Sequence, residues 1–220
     1  MTTVANRRVL VIGASGGLGC SLVDQFLARG AHVIGVGRRA ASDDRLERYV
    51  QADVTRPDGQ AIVVDAIKGD GIDVVVLASG VVGFTQHDLM ALDDIANMIT
   101  TNLVAPLQLM TLLSPLIHQG GNVTVVSGAV VDMPTLGMST YTASKAGLSG
   151  FASVLRRELR TRKISVLEVR PPHTETGLAS HPVFGSAPAL PVGLDPDEVA
   201  KMIVDAIEAD ATSVDFSQKH

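Results

Sequence analysis

The chain has 220 residues, 46% hydrophobic and 19% charged, with a formal net charge of -5, a balance that suits one well-buried α/β core over 1-220 rather than two domains. The acid excess argues against a nucleic-acid partner. The one cysteine, Cys20, excludes an internal disulfide, and the six histidines lack ligand-type spacing, so no metal is expected. The longest apolar runs, such as Val74 to Ser79, are strand-length, so no membrane segment is expected, and Met1 to Arg8 does not read as a secretory signal. The expected compartment is the cytoplasm.

In chain order, the first predicted strand, Arg8 to Ile12, runs directly into Gly13-Ala14-Ser15-Gly16-Gly17-Leu18-Gly19. An apolar strand, a glycine turn and a helix start form a site for a dinucleotide pyrophosphate: the backbone can approach the phosphates, and the helix end offers unpaired N–H groups. The spacing GxGxxG fails, because position 22 is Leu22, whereas GxxxGxG fits on Gly13, Gly17 and Gly19. Cys20 is expected as a small buried residue on the helix that follows. The second strand, His32 to Val36, ends at Gly37-Arg38-Arg39, with Asp43 and Asp44 only several residues later. An acid at that end favours the ribose 2′-hydroxyl of NAD; a guanidinium favours the 2′-phosphate, so NADP(H) is the expected cofactor.

A weaker strand, Tyr49 to Ala52, precedes Asp53 and Val54, and the strand Ile72 to Leu77 leads to Ala78-Ser79-Gly80. Asn102 falls in a helical stretch, and the strand Asn122 to Ser127 ends beside Gly128. Tyr141 and Lys145 stand four apart, which on a helix places both on one face. That helix continues through Leu148, Phe151, Leu155 and Leu159, with Ala143, Gly147 and Gly150 as a second, small-residue surface, and its basic end at Arg156 to Lys163 complements the helix dipole. After the strand Ile164 to Val169, residues 171-195 carry six prolines if Pro196 is included and no sustained period. This long loop reads as a substrate lid, with Val183, Phe184, Leu190 and Val192 to close over a ligand. A last helix, Pro196 to Ala209, starts from Asp195 as N-cap. Alternating β and α elements predict a single-domain Rossmann fold, a doubly wound parallel sheet with helices on both faces and ligands at the carboxyl ends of the strands.

The glycine spacing together with Tyr141-Thr142-Ala143-Ser144-Lys145 resembles the short-chain dehydrogenase/reductase family, whose catalytic motif is YxxxK. The resemblance implies an NADP(H)-dependent oxidoreductase that reduces a carbonyl or oxidises an alcohol. Tyr141 would exchange the proton, and Lys145 would lower its pKa and bind the nicotinamide ribose. Asn102 would support a water chain to Lys145. Asp53 would face the adenine amine, and Val54 beside it would belong to the cofactor site. Gly13, Ser15, Gly16, Gly17, Leu18, Gly19, Arg38, Arg39, Ala78, Ser79, Gly80, Pro171 and Thr176 complete the implied cofactor site, Thr176 on the carboxamide. The resemblance also implies a homodimer or homotetramer.

Three departures stand out: Leu77-Ala78-Ser79-Gly80 where the family has NNAG, Pro171-Pro172 in place of PG, and Gly128 where the catalytic serine falls. The neighbouring Ser127 either supplies that hydroxyl or is a buried strand-end serine. An NADP(H)-binding sensor or scaffold with little turnover is therefore the second reading. An S-adenosylmethionine methyltransferase would leave Tyr141 and Lys145 without a reason. The lid favours an apolar or mixed ketone, although His173, Glu175 and His181 add polarity.

Overall fold

The computed structural model describes residues 3–40 and 43–217. Strand β1 (Arg8–Ile12) is buried along its last four residues, as expected of a strand covered on both faces. It sits inside a six-stranded sheet with β2 (His32–Gly37), β3 (Arg48–Gln51), β4 (Ile72–Leu77), β5 (Ile117–Val126) and β6 (Ser165–Val169), in the order β3-β2-β1-β4-β5-β6. Every strand pairing is parallel, giving the doubly wound Rossmann topology that the alternation predicts. The two-residue period sorts side chains between two cores. Leu10, Ile12, Val75, Leu77, Val123 and Val125 enter one; Val9, Val11, Val33, Val74, Val76 and Leu167 enter the other.

Helices α1 (Gly17–Ala28) and α6 (Pro196–Glu208) cover the second core, while α2 (Pro57–Ile67), α4 (Ala105–Leu113) and α5 (Ser139–Glu158) cover the first. Helix α6 begins as expected: Asp195 accepts hydrogen bonds from the N–H groups of Asp197 (2.8 Å) and Glu198 (3.2 Å), a cap worth about 1 kcal/mol. The sheet reverses its winding between β1 and β4, and the crevice outside their carboxyl ends is where such folds place ligands.

Helix α3 (Leu92–Ile99) passes into α4 through a π turn at Thr100–Val104. Pro106 has no N–H, so the Asn102 carbonyl four residues before it lacks its α-helical donor, and a wider turn results, with the Ala105 N–H bonded to the Thr100 carbonyl. The whole run Leu92–Leu116 is 25 residues long and apolar enough for a membrane span by length and composition, a feature the strand-length runs did not reveal. Here it packs in the body of the fold, with Met98, Leu109, Met110 and Leu113 buried.

One strand start and one burial differ most from the sequence reading. Strand β5 starts at Ile117, ahead of Asn122, because His118, Gln119 and Gly120 are exposed and the register shifts opposite Ile72 and Val74, so the apolar pattern is missing there. Cys20 is exposed on α1 rather than buried; its thiol donates to the Ala14 carbonyl at 3.3 Å. The basic end of α5 does more than face the dipole. Arg156 donates to the Val166 and Thr212 carbonyls, and Arg162 to those of Ser114 and Ile117, closing the end of the neighbouring helix.

Candidate active site

The nucleotide half is built on close approach. An added Cβ at Gly17 would lie 2.3 Å from the Thr176 carbonyl oxygen, and one at Gly19 would lie 2.0 Å from that of Gly13. Only bare backbone fits there. Gly16, at the N-cap of α1, provides no side-chain cap, so the first-turn N–H groups of Gly17, Leu18 and Gly19 are left without a capping side chain, as suits an anion-binding end. Gly13 presses the turn onto Ala78 and Ser79 at the end of β4. These residues fit a dinucleotide pyrophosphate.

At the end of β2, Arg38 and Arg39 are exposed. Their backbone is held from β3: the Tyr49 hydroxyl donates to the Arg39 carbonyl at 2.8 Å, and the Gln51 amide to that of Arg38 at 3.2 Å. Arg39 also donates to the Ser15 carbonyl at 3.1 Å, joining the turn to the strand end. Neither Tyr49 nor Gln51 was singled out from sequence. Asp53 folds back on its own turn, accepting from the Thr55 N–H (3.0 Å) and hydroxyl (2.7 Å). Burial opposes its charge, but the Thr55 bonds and the charges of Arg38 and Arg56 outweigh it, and its carboxyl stays below the usual range. It is therefore an acceptor at neutral pH, beside the buried Val54.

The second half gathers at the ends of β4 and β5. Asn102, fully buried, accepts from the Val81 N–H at 2.8 Å and donates to the Val81 carbonyl at 2.9 Å and to the Ser144 hydroxyl at 3.1 Å. Ser144 in turn donates to the Tyr141 carbonyl at 2.7 Å. The π turn is thus fastened both to the loop after β4 and to the helix that carries Tyr141. An added Cβ on Gly80 would lie 3.3 Å from Lys145 Nζ and 3.4 Å from Asn102 Oδ1, so this glycine admits both groups. The structure brings Tyr141, Lys145, Asn102 and Gly80 into one neighbourhood, with Ser144 as a partner that the YxxxK pattern does not reveal.

The electrostatics depart from expectation. Burial pushes the Tyr141 phenol up to about 12 and the Lys145 ammonium down to about 8. Lys145 Nζ donates to the Val126 carbonyl at 3.0 Å and stands 5.8 Å from the centre of the Tyr141 ring. In this state desolvation governs both groups, and the lowering of Tyr141 by Lys145 is not seen.

Ser127 is tied elsewhere. Its hydroxyl donates to Glu168 Oε1 at 2.8 Å, with the Val169 carbonyl at 3.2 Å, so of the two roles left open by the sequence, this geometry matches the buried strand-end serine. Gly128 occupies the vacant position: an added Cβ would lie 4.0 Å from the Tyr141 hydroxyl and 4.0 Å from the Pro171 carbonyl. Its φ of +130° is one that side-chain-bearing residues rarely adopt.

The loop 171–195 contains no helix or strand but is pinned at two places. At its base Thr174 bridges Leu194. Further along, Gly185 bridges Phe84, and the Val183 N–H donates to the Val82 carbonyl at 2.8 Å. Of the four apolar side chains expected to close over a ligand, Phe184 lies against Gly83. Val183 and Leu190 are exposed, and Val192 is 94% exposed, so these three do not close over the crevice in this structure.

A doubly wound sheet with a bare glycine turn at its switch point, and a Tyr–Lys pair beyond the next strands, defines a dinucleotide-binding fold of the oxidoreductase class. The chain matches the family model for short chain dehydrogenase over residues 7–182, and it belongs to the short-chain dehydrogenase/reductase family. It is 29% identical over 215 residues to the cyclic-di-GMP-binding biofilm dispersal mediator protein of Escherichia coli strain K12, covering 92% of this chain and 90% of that one. It is 30% identical over 181 residues to the 3-oxoacyl-acyl-carrier-protein reductase of Salmonella typhimurium, covering 77% and 74%. Among solved structures, a short-chain dehydrogenase from Sphingobium yanoikuyae in complex with NADPH superposes with a TM-score of 0.83 at 25% identity, covering 94% of this chain and 87% of that chain.

Proposed function

We propose that the protein binds NADP(H) and reduces a small carbonyl compound, or oxidises the corresponding alcohol, with Tyr141 as the proton-transferring group. The observation that carries this reading is the convergence of Lys145 and Asn102 on Gly80, with the Tyr141 ring centre 5.8 Å from Lys145 Nζ, beyond the strand ends that also present the bare glycine turn. When bound, the cofactor supplies the hydride. Arg38 and Arg39 would hold a 2′-phosphate, the first turn of α1 the pyrophosphate, Asp53 the adenine amine, and Thr176, packed on Gly17, the nicotinamide end. Tyr141 holds its proton at neutral pH, as an acid that protonates a carbonyl oxygen must. Lys145, whose pKa burial lowers to about 8, still holds its proton for the most part at neutral pH, and a charged Lys145 favours loss of the phenol proton.

The NADPH-bound structural relative and the reductase relative support this reading. Side-by-side calorimetry with NADPH and NADH tests the cofactor, and loss of NADPH absorbance with a panel of ketones tests the chemistry. Equal affinity for the two nucleotides would refute the cofactor assignment. A second reading, an NADP(H)-binding sensor, draws on Gly128 and on the engaged Ser127 hydroxyl. It predicts nucleotide binding without turnover, and cyclic di-GMP, bound by one relative according to its name, is the ligand to test beside it.

A further inference from the structure

The residue after β6, Arg170, is bonded to all three elements that frame the site. Its Nε donates to Glu168 Oε1 at 2.8 Å and one terminal nitrogen to Glu168 Oε2 at 3.1 Å, a two-pronged grip on the carboxylate that also takes the Ser127 hydroxyl. The same terminal nitrogen donates to the Ser149 hydroxyl at 2.8 Å, and the other bonds Asp132. Ser149 is buried on α5, four residues beyond Lys145 and eight beyond Tyr141, so it lies on the same helical stripe. Asp132 closes the turn that follows Gly128. Pro171, next to Arg170, receives the Ala129 N–H at 3.0 Å.

We propose that Arg170, through Glu168, Asp132 and Ser149, is a positioning residue that sets the Tyr141 helix against the Gly128 loop and the start of the lid, in a site where no side chain at position 128 does so. The role rests on the reductase reading only for its catalytic consequence; the positioning itself is a property of the free protein. The planar guanidinium is essential, since no single point charge reaches a carboxylate on one side, a second carboxylate on another and a hydroxyl between. On its outer side the clamp borders a cavity of about 730 Å³ that Arg156 and Phe216 also line, which gives small solutes access to Arg170.

The test uses the full chain carrying Tyr49→Phe, so that Tyr141 is the one remaining phenol, and reads its titration by absorbance. Arg170→Ala is expected to move the Tyr141 midpoint down by at least half a pH unit as the loosened loops admit water. Millimolar methylguanidinium, entering through the cavity, is expected to restore it. A lower melting temperature with an unmoved midpoint would show that Arg170 is merely structural and overturn the proposal; so would a shift that methylguanidinium leaves unchanged. If Arg170→Ala does not fold, Asp132→Asn removes the exposed arm of the clamp and is expected to give a smaller shift in the same direction, with no shift overturning the proposal. In turnover assays the unmutated protein serves as its own control: no reaction with any ketone rejects the reductase reading, and the titration still decides the clamp.

Discussion

Tyr141 can be titrated in isolation, because the chain has two tyrosines and no tryptophan. In Tyr49→Phe every phenolate signal comes from Tyr141. Its midpoint in the cofactor-free protein is expected at about 12 against about 10 for a free phenol, roughly 3 kcal/mol against the charged form. The folded value lies above the unfolded one, so this contribution to stability is complete below pH 10 and is lost as pH rises through 12. Lys145, down to about 8, is neutral throughout that range. Lys145→Met should therefore leave the cofactor-free midpoint where it is. With NADP⁺ added, the midpoint should fall in the parent and much less in Lys145→Met, because only a charged Lys145 can favour the phenolate. The assay is ultraviolet difference absorbance against pH, with far-ultraviolet circular dichroism showing that the fold persists. A cofactor-free midpoint at or below 10 in folded protein would refute the reasoning.

Arg38→Ala is expected to narrow the preference for NADPH over NADH by about 1.5 to 3 kcal/mol, the worth of a charged hydrogen bond; calorimetry measures it, and an unchanged ratio would remove Arg38 from the site. Lys145 is almost wholly buried with its folded pKa below the unfolded 10.5, so stability of the cofactor-free protein should rise between pH 8 and 10.5, and Lys145→Met should abolish that rise in denaturant titrations. Gly128→Ser should lower the melting temperature, since its φ of +130° costs a side chain about 1 to 3 kcal/mol, yet raise turnover. Gly128→Ala should carry the strain without the gain, and equal turnover in both would show that no donor is wanted there. Val104 and Val154 are exposed on the π turn and α5, and an added Cβ on Gly150 would meet nothing within 4 Å, so light scattering should give at least twice 23 kDa; a lone 23 kDa species at micromolar concentration would refute a dimer.

The strands were legible because a two-sided parallel sheet writes continuous β-branched runs. Arg8–Ile12 and Ile72–Leu77 coincide with the predicted bounds. Where one end of a strand emerges into solvent, as in β5 from His118 to Gly120, the apolar signal disappears and the boundary with it. The glycine turn and the Tyr–Lys pair were legible because each is local, a few residues at fixed spacing. The groups that hold them were not. Tyr49 and Gln51 reach the Arg38 turn from another strand, and Glu168 meets Ser127 across 41 residues. Such contacts follow from strand order and register, which periodicity does not encode. Cys20 was misplaced for a related reason: on a helix that packs one stripe, a small residue type does not say which side it takes.

Gly128 does not by itself decide between reductase and sensor. A second donor to the developing oxyanion is worth about 2.7 to 4 kcal/mol, or 10² to 10³ in rate, whereas enzymes typically gain 10⁶ or more over the uncatalysed reaction. Losing that donor therefore slows a reductase without silencing it, provided that the acid remains protonated and fixed. Tyr141 meets the first condition through burial and the second through Ser144 and Asn102. A sensor that binds NADP(H) would still use Lys145 on the nicotinamide ribose, but it would have no use for a protonated Tyr141 held beside it. The pair at 141 and 145, with Lys145 buried and Tyr141 partly so, weighs more heavily for chemistry than the missing hydroxyl weighs against it.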